Sequence, residues 1–280
     1  MSSQELVNSA PDVQPPPAQA VEKDRVAGKP KLNVVVREAT EADLEDIIRI
    51  FWSSFSVIFP FNLTEPPSSR PSESIRLSRA IHRQKAVLAN PKYLTLVAEI
   101  EIETEAQSEN GNQEKKEKKK YKEVVGWAGY LRPEGCKDPH PWIVDDDEYE
   151  RGTEEDREAW EGVERKYFNG LWKGWDEYRW GILPDVEHWL LAPLCVKPSA
   201  QGQGVGSALL QYVSNIVDKD NESNPNNPVP IYLDASKAGQ PVYLKAGYEY
   251  FPPGPEGKGT GREFPGMIRW GKVPVEKRRV

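Results

Sequence analysis

The chain has 280 residues, 29% of them charged, with 25 prolines, 21 glycines and a formal net charge of −7. Its two cysteines, Cys136 and Cys195, are too few for a disulfide framework or a structural zinc site and suit a reducing compartment. The acidic balance gives no support to nucleic-acid binding, and neither a secretory leader nor an apolar run of bilayer length is visible, so no membrane is expected and a cytoplasmic location, with the nucleus also open, is the reading.

Residues 1–31 are rich in Pro, Ala, Gln and charge and are expected to form a disordered tail, because such a composition buries too little to offset its ordering entropy. The domain is expected over residues 32–270, followed by an exposed tail at 271–280. It opens with a β-branched strand at 32–37. Thr40 to Asp43 reads as a capping box, and Leu44, Ile47, Ile48, Phe51 and Phe55 mark the buried face of the helix that follows. Prolines break residues 56–71 into a loop, after which Ser72 or Ser74 caps a second helix carrying Leu77, Ile81 and Leu88.

Residues 93–104 alternate, with Leu94, Leu96, Ala98, Ile100 and Ile102 on one face and Thr95, Glu99, Glu101 and Glu103 on the other. With a return strand at 124–131 they predict a hairpin whose tip is a polar insert, 103–123. The lysine run at 115–122 reads either as a charged, solvated tip or as a polyanion or import patch. Residues 133–147 look irregular. From Thr153 to Tyr178 the residues Trp160, Val163, Tyr167, Leu171, Trp175 and Tyr178 fall at helical spacing, so 150–180 is expected to be an aromatic helical insert, weakened at Gly170 and Gly174. That stripe is either core or the lining of a substrate pocket. A strand at 187–196, a helix at 207–218, a strand at 231–235, a short helix between Pro241 and Gly247 and a last strand at 267–270 complete the order. Such an order predicts an α/β chain with one central, mostly antiparallel sheet.

Residues 190–212, LLAPLCVKPSAQGQGVGSALLQY, carry the first chemical signal. An apolar strand runs into Gly202, Gly204 and Gly206 and then into an amphipathic helix, which makes a backbone cradle for a phosphate or pyrophosphate. No lysine follows the glycines as a P-loop requires, and their G-x-G-x-G spacing is not the dinucleotide fingerprint. Gln201, Gly204 and Gly206, preceded by Val196 and Pro198, resemble the [QR]-x-x-G-x-[GA] acyl-CoA motif of the GNAT superfamily of N-acyltransferases. Some thirty residues on, at the spacing usual in that family, LDASKAGQPVYLKAGY (233–248) resembles its second motif, A-S-x-x-G-x-x-[LF]-Y-x-x-x-G-[FY].

The resemblance implies a GNAT fold: α/β (α+β), a mixed, mostly antiparallel central β-sheet with splayed strands 4 and 5, flanked by helices. Pro193 fits the bulge at which those strands part. It also implies acetyl-CoA as acyl-donor substrate, no metal, and a small amine or protein amine as acceptor. Leu194, Cys195 and Val196 would bond the pantetheine arm through their backbone. Gln201, Gly202, Gln203, Gly204, Val205, Gly206 and Ser207 would hold the pyrophosphate, and Ser236 would face the pantetheine. Tyr243 matches the family's general acid for the leaving thiolate, although a tyrosine there can also simply pack.

A base is needed as well, and Glu187 or His188 is the candidate on the incoming strand, with Asp234 across the gap. Each also has a plain structural reading, as a solvated strand end, an ordinary histidine or a turn former. Cys195 reads as a small strand residue rather than a nucleophile. The expected activity is N-acetyl transfer to an amine; the alternative is an acyl-CoA-binding regulatory module without turnover.

Overall fold

The chain's structure, a computed structural model, describes residues 30–56, 59–105 and 118–278. The expected tail up to residue 29, residues 115–117 of the lysine run and the last two residues lie outside them. Strands β1 (Val34–Glu38), β2 (Tyr93–Glu105), β3 (Lys118–Leu131), β4 (Trp189–Val196), β5 (Ile231–Asp234), β6 (Glu249–Tyr250) and β7 (Gly266–Arg269) form one sheet in the order β1-β2-β3-β4-β5-β7-β6. Every neighbouring pair is antiparallel except β4 and β5. These two run parallel through only two residue pairs, Trp189 with Ile231 and Leu190 with Tyr232, and then diverge. Across β3, Ala192 and Pro193 together oppose the single residue Gly129, so the proline occupies a bulge where no ladder donor is missing. The expected splay is therefore present, and the bulge marks where it widens.

Helices α1 (Leu44–Phe55), α2 (Phe61–Thr64), α3 (Glu73–Ala89), α4 (Asp146–Arg151), α5 (Glu154–Glu158), α6 (Arg165–Ile182), α7 (Val205–Ser223) and α8 (Gln240–Lys245) cover the sheet. Period-two alternation sends Leu96, Ala98, Ala128 and Tyr130 to one face, where Val205, Leu209, Val213 and Val217 of α7 cover them. Val97, Trp127 and Cys195 go to the other, beneath Leu44, Ile47, Ile50 and Phe51 of α1 and Trp172 of α6. The Thr40 capping box forms, with the Thr40 N–H donating to Asp43 Oδ2 at 2.7 Å, and a single 3-10 turn leads into α1.

Four expectations on element bounds need correction. The hairpin arms run further into the expected insert, to Glu105 and from Lys118, because Lys120 and Lys122 pair with Glu101 (2.6 Å) and Glu99 (3.1 Å) across the strands. The aromatic segment is not one helix. It breaks at 159–164, where Gly162 takes φ +80°, while Gly170 and Gly174 sit inside α6 with open space around them. The proline-rich loop at 56–71 contains the short helix α2. Helix α7 starts at Val205 rather than 207 and runs to Ser223 rather than 218, with Val217 and Asn221 buried along it.

Candidate active site

The fork between β4 and β5 exposes backbone that a continuous sheet would consume. Lys197 N–H donates to Val125 O at 2.8 Å, and alternation along an antiparallel pair then gives β3 the amide of Cys195 as well. The amides of Leu194 and Val196 are left facing the opening. Cys195 instead turns its thiol into the α1 side of the core, where burial pushes it up and holds it protonated.

At the end of β4 the chain makes a 3-10 turn, Pro198–Ala200, and enters the glycine loop. Gly202 and Gly204 adopt φ of +78° and +95°, and nothing lies within 4 Å of where a Cβ would sit on either. Conformation, not crowding, is what requires glycine there. The first helical bond of α7 runs from Ala208 N–H to Gly204 O (3.0 Å), which leaves the N–H groups of Val205, Gly206 and Ser207 without helical acceptors. Those three donors at a helix start make an anion site. The glutamine side chains turn back onto the loop, Gln201 Nε2 to Val196 O (3.1 Å) and Gln203 Nε2 to Ser199 O (2.8 Å), so the loop presents backbone to the opening. Sequence reasoning missed Gly126 of β3. A Cβ there would lie 2.8 Å from Val205 Cγ1 and 2.9 Å from Cys195 O, so only glycine lets α7 seat its first turn against the fork.

The fork opens into a cavity of about 310 Å³. Leu194, Ser236 and Tyr243 line it, and so does Asp234 at the end of β5. Tyr243 is buried, and its desolvated hydroxyl is pushed up and stays protonated at neutral pH. Ser236 Oγ accepts from the Gly239 N–H (3.2 Å), fixing the turn that leads into α8. Asp234 accepts from Tyr232 OH at 3.1 Å and faces Arg262 Nη1 at 3.5 Å. Burial raises its carboxyl to about 6, against the opposing pull of the Arg262 charge.

Glu187 and His188 are not brought to this cavity. Both precede β4, and Glu187 is exposed. His188 is 1% exposed, with Nδ1 bonded to Val186 O (2.6 Å) and Nε2 facing Arg179 Nη1 (3.1 Å). Both ring nitrogens are engaged, and burial depresses the imidazole to about 4. Of the three base candidates, only Asp234 meets Tyr243 in one space.

The far wall comes from α1, α6 and the chain around Phe264. Phe51 and Phe55 of α1, Trp172 and Trp175 of α6, and Phe264 supply rings. His140 stacks on Trp172 at 4.4 Å; its backbone N–H donates to Asp176 Oδ2 (2.7 Å). Asp176 in turn holds the buried Arg179 through a 2.7 Å ion pair. The expected stripe thus serves both readings, since Leu171 and Trp175 pack against the core beneath α1 and also line the cavity. His140, lying in an apparently structureless stretch, gave no sequence signal.

Residues 167–250 match the acetyltransferase (GNAT) domain. This span holds all of α6 but its first two residues, the fork, the glycine loop, Asp234 and Tyr243. Among solved structures, the chain is similar to a histone acetyltransferase HPA2 and related acetyltransferase from Corynebacterium glutamicum: 20% identity, TM-score 0.44, covering 86% of this chain and 98% of that one. It is similar also to a mosquito arylalkylamine N-acetyltransferase like 5b, with 17% identity, TM-score 0.39 and coverage of 84% and 99%. A GNAT-family acetyltransferase from Staphylococcus aureus aligns at 13% identity and TM-score 0.37, covering 84% and 98%. No curated protein matches the chain.

Proposed function

We propose that this chain, a GNAT acetyltransferase by its domain at residues 167–250, moves an acetyl group directly from acetyl-CoA to a primary amine in the cavity at the β4–β5 fork. The observation that carries the reading is the meeting of Leu194, Asp234 and Tyr243 around one 310 Å³ space beside an anion-binding helix start.

The pyrophosphate of the donor sits on the N–H groups of Val205, Gly206 and Ser207, and its pantetheine arm lies along the free amides of Leu194 and Val196. One of these amides donates to the thioester oxygen as charge develops on it. Asp234 takes a proton from the acceptor's ammonium, and the neutral amine attacks the carbonyl carbon. The new N–C bond forms, the C–S bond breaks, and Tyr243 protonates the departing thiolate. Tyr243 regains a proton from the nitrogen, and Asp234 releases its own to solvent. The products are an amide, a thiol and one proton. Aromatic faces beside Asp234 and Glu263 favour a cationic amine on a small apolar body.

Thiol release from acetyl-CoA across a panel of amines tests the reading. Asp234→Asn is expected to lower turnover on any accepted amine by about a hundredfold or more while acetyl-CoA still binds. Full activity in that variant removes Asp234 as the base. Acetyl-CoA binding with no turnover on any amine would instead support a regulatory acyl-CoA module.

A further inference from the structure

A second cavity, of about 320 Å³, lies between α1, α3 and the segment from α4 to α6, on the other side of Phe51 and Phe59 from the transfer cavity. Phe51, Trp52, Phe59, Phe61, Trp160 and Phe168 supply its rings. Three polar side chains in its wall have unused donors. Gln84 is 5% exposed, and its Nε2 has no partner among the described residues. The Trp142 Nε1 is likewise buried and unpartnered. Arg83 donates through Nη1 to Ala159 O and lies over the Trp160 ring at 5.0 Å, yet hydrogen-bonds no carboxylate among the described residues.

Of the three carboxylates in its wall, Glu148 makes no ion pair among the described residues, and burial with the nearby Asp145 raises it; the other two are committed. Glu65 accepts from Arg76 Nε at 2.7 Å, and Asp156 is held by His82 Nε2 (2.7 Å) and by Thr153 Oγ1 (2.8 Å). Arg83 therefore feels one nearby carboxylate, Glu65, against two guanidinium groups, Arg76 and Arg79. Although the side chain as a whole is part-exposed, its head group is desolvated enough for burial to lower it to about 10. A desolvated cation beside two orphaned N–H donors is matched by an anionic acceptor, and the rings around them are matched by an apolar body.

We propose that this second cavity is a binding site for a small aryl carboxylate, its acid group received by Arg83, Gln84 and Trp142 and its ring packed among the aromatic residues. Occupancy there leaves the fork free and presses on Phe51 and Phe59, which form walls of both spaces. The site is independent of the acetyl-transfer reading, since it uses neither the glycine loop nor Leu194, Asp234 or Tyr243.

The probe is 3-phenylpropionate, titrated calorimetrically into the full chain with acetyl-CoA present in excess, beside its neutral amide 3-phenylpropionamide. The acid is expected to bind at least tenfold tighter than the amide. Arg83→Met, which keeps an apolar side chain but removes the guanidinium, is expected to remove that preference, whereas Arg83→Lys retains part of it. Equal binding of acid and amide, no binding of either at millimolar concentration, or an undiminished preference in Arg83→Met overturns the proposal. Should Arg83→Met fail to fold, Gln84→Leu gives the same reading by a smaller loss of acid affinity, and an unchanged affinity in that variant counts against the site.

Discussion

Asp234 is proposed as the base on surroundings that no local pattern displays. A carboxylate at a strand end is ordinary; one largely shielded from solvent at a fork and lifted to about 6 has the proton affinity that a base needs near neutral pH. As the proposed base Asp234 acts when ionised, so kcat/KM should rise with pH through about 6 and level off above it. Replacing it with asparagine should remove that limb from whatever rate remains. The sign for stability is opposite. The folded state holds this proton more tightly than the unfolded chain, so the neutral carboxyl favours folding at low pH, and that contribution is lost as pH rises from about 4 to about 6. Asp234→Asn should therefore be more stable than the parent above pH 6, by roughly 1–2 kcal/mol, seen as a higher Tm at pH 7.5 and a vanishing difference near pH 4. Tyr243→Phe should lower kcat far more than it weakens acetyl-CoA binding, as calorimetry beside steady-state rates would show; equal loss in both would reduce Tyr243 to a packing residue. Tyr243 and the glycines were legible because their spacing is local. Choosing Asp234 over His188 was not, because the choice depends on Arg179, Val186 and Arg262, which only the fold brings alongside.

At the scale of elements, the strand–loop–helix unit makes a sharp distinction between its glycines. Gly204 sits at φ +95° with open space around it, so alanine there should cost about 1–2 kcal/mol in backbone strain and weaken acetyl-CoA binding by distorting the donor cradle. Gly206 is already helical, and an added Cβ would make only ordinary contacts, 3.6 Å to Leu194 Cδ2 and 3.8 Å to Val196 Cγ2. Gly206→Ala should fold with stability equal to the parent or up to about 1 kcal/mol higher, by the usual helix preference. Denaturant unfolding of the two variants side by side checks this contrast. Alternation and proline placement made the hairpin and the β4 bulge legible. The interruption of the aromatic segment was misplaced because composition points to Gly170 and Gly174, which α6 absorbs, whereas the actual break lies at Gly162 in a left-handed turn. There its space is already limited by Pro71 Cδ, 3.0 Å from a would-be Cβ.

For the whole molecule, the order of elements announced one mixed sheet, and the two motifs announced where it opens. What they did not announce is the wall facing the fork. Residues 133–182 fold across α1 and α3 and bring His140, Trp172, Asp176 and Arg179 to the cavity, through contacts distant in sequence that follow no short period. Acetyl-CoA should raise the Tm of the parent by mass action, about 2.7 kcal/mol at a hundred times its Kd, and should do so less in Gly204→Ala. The most direct test of the account is the pH profile of CoA thiol release, with a small apolar amine as acceptor, for the parent and for Asp234→Asn. A parent profile rising through about pH 6, and a variant that binds acetyl-CoA but has lost both the limb and at least a hundredfold in rate, is the expected result. A parent that releases no thiol with any amine, or a variant with the parent's profile, would contradict it.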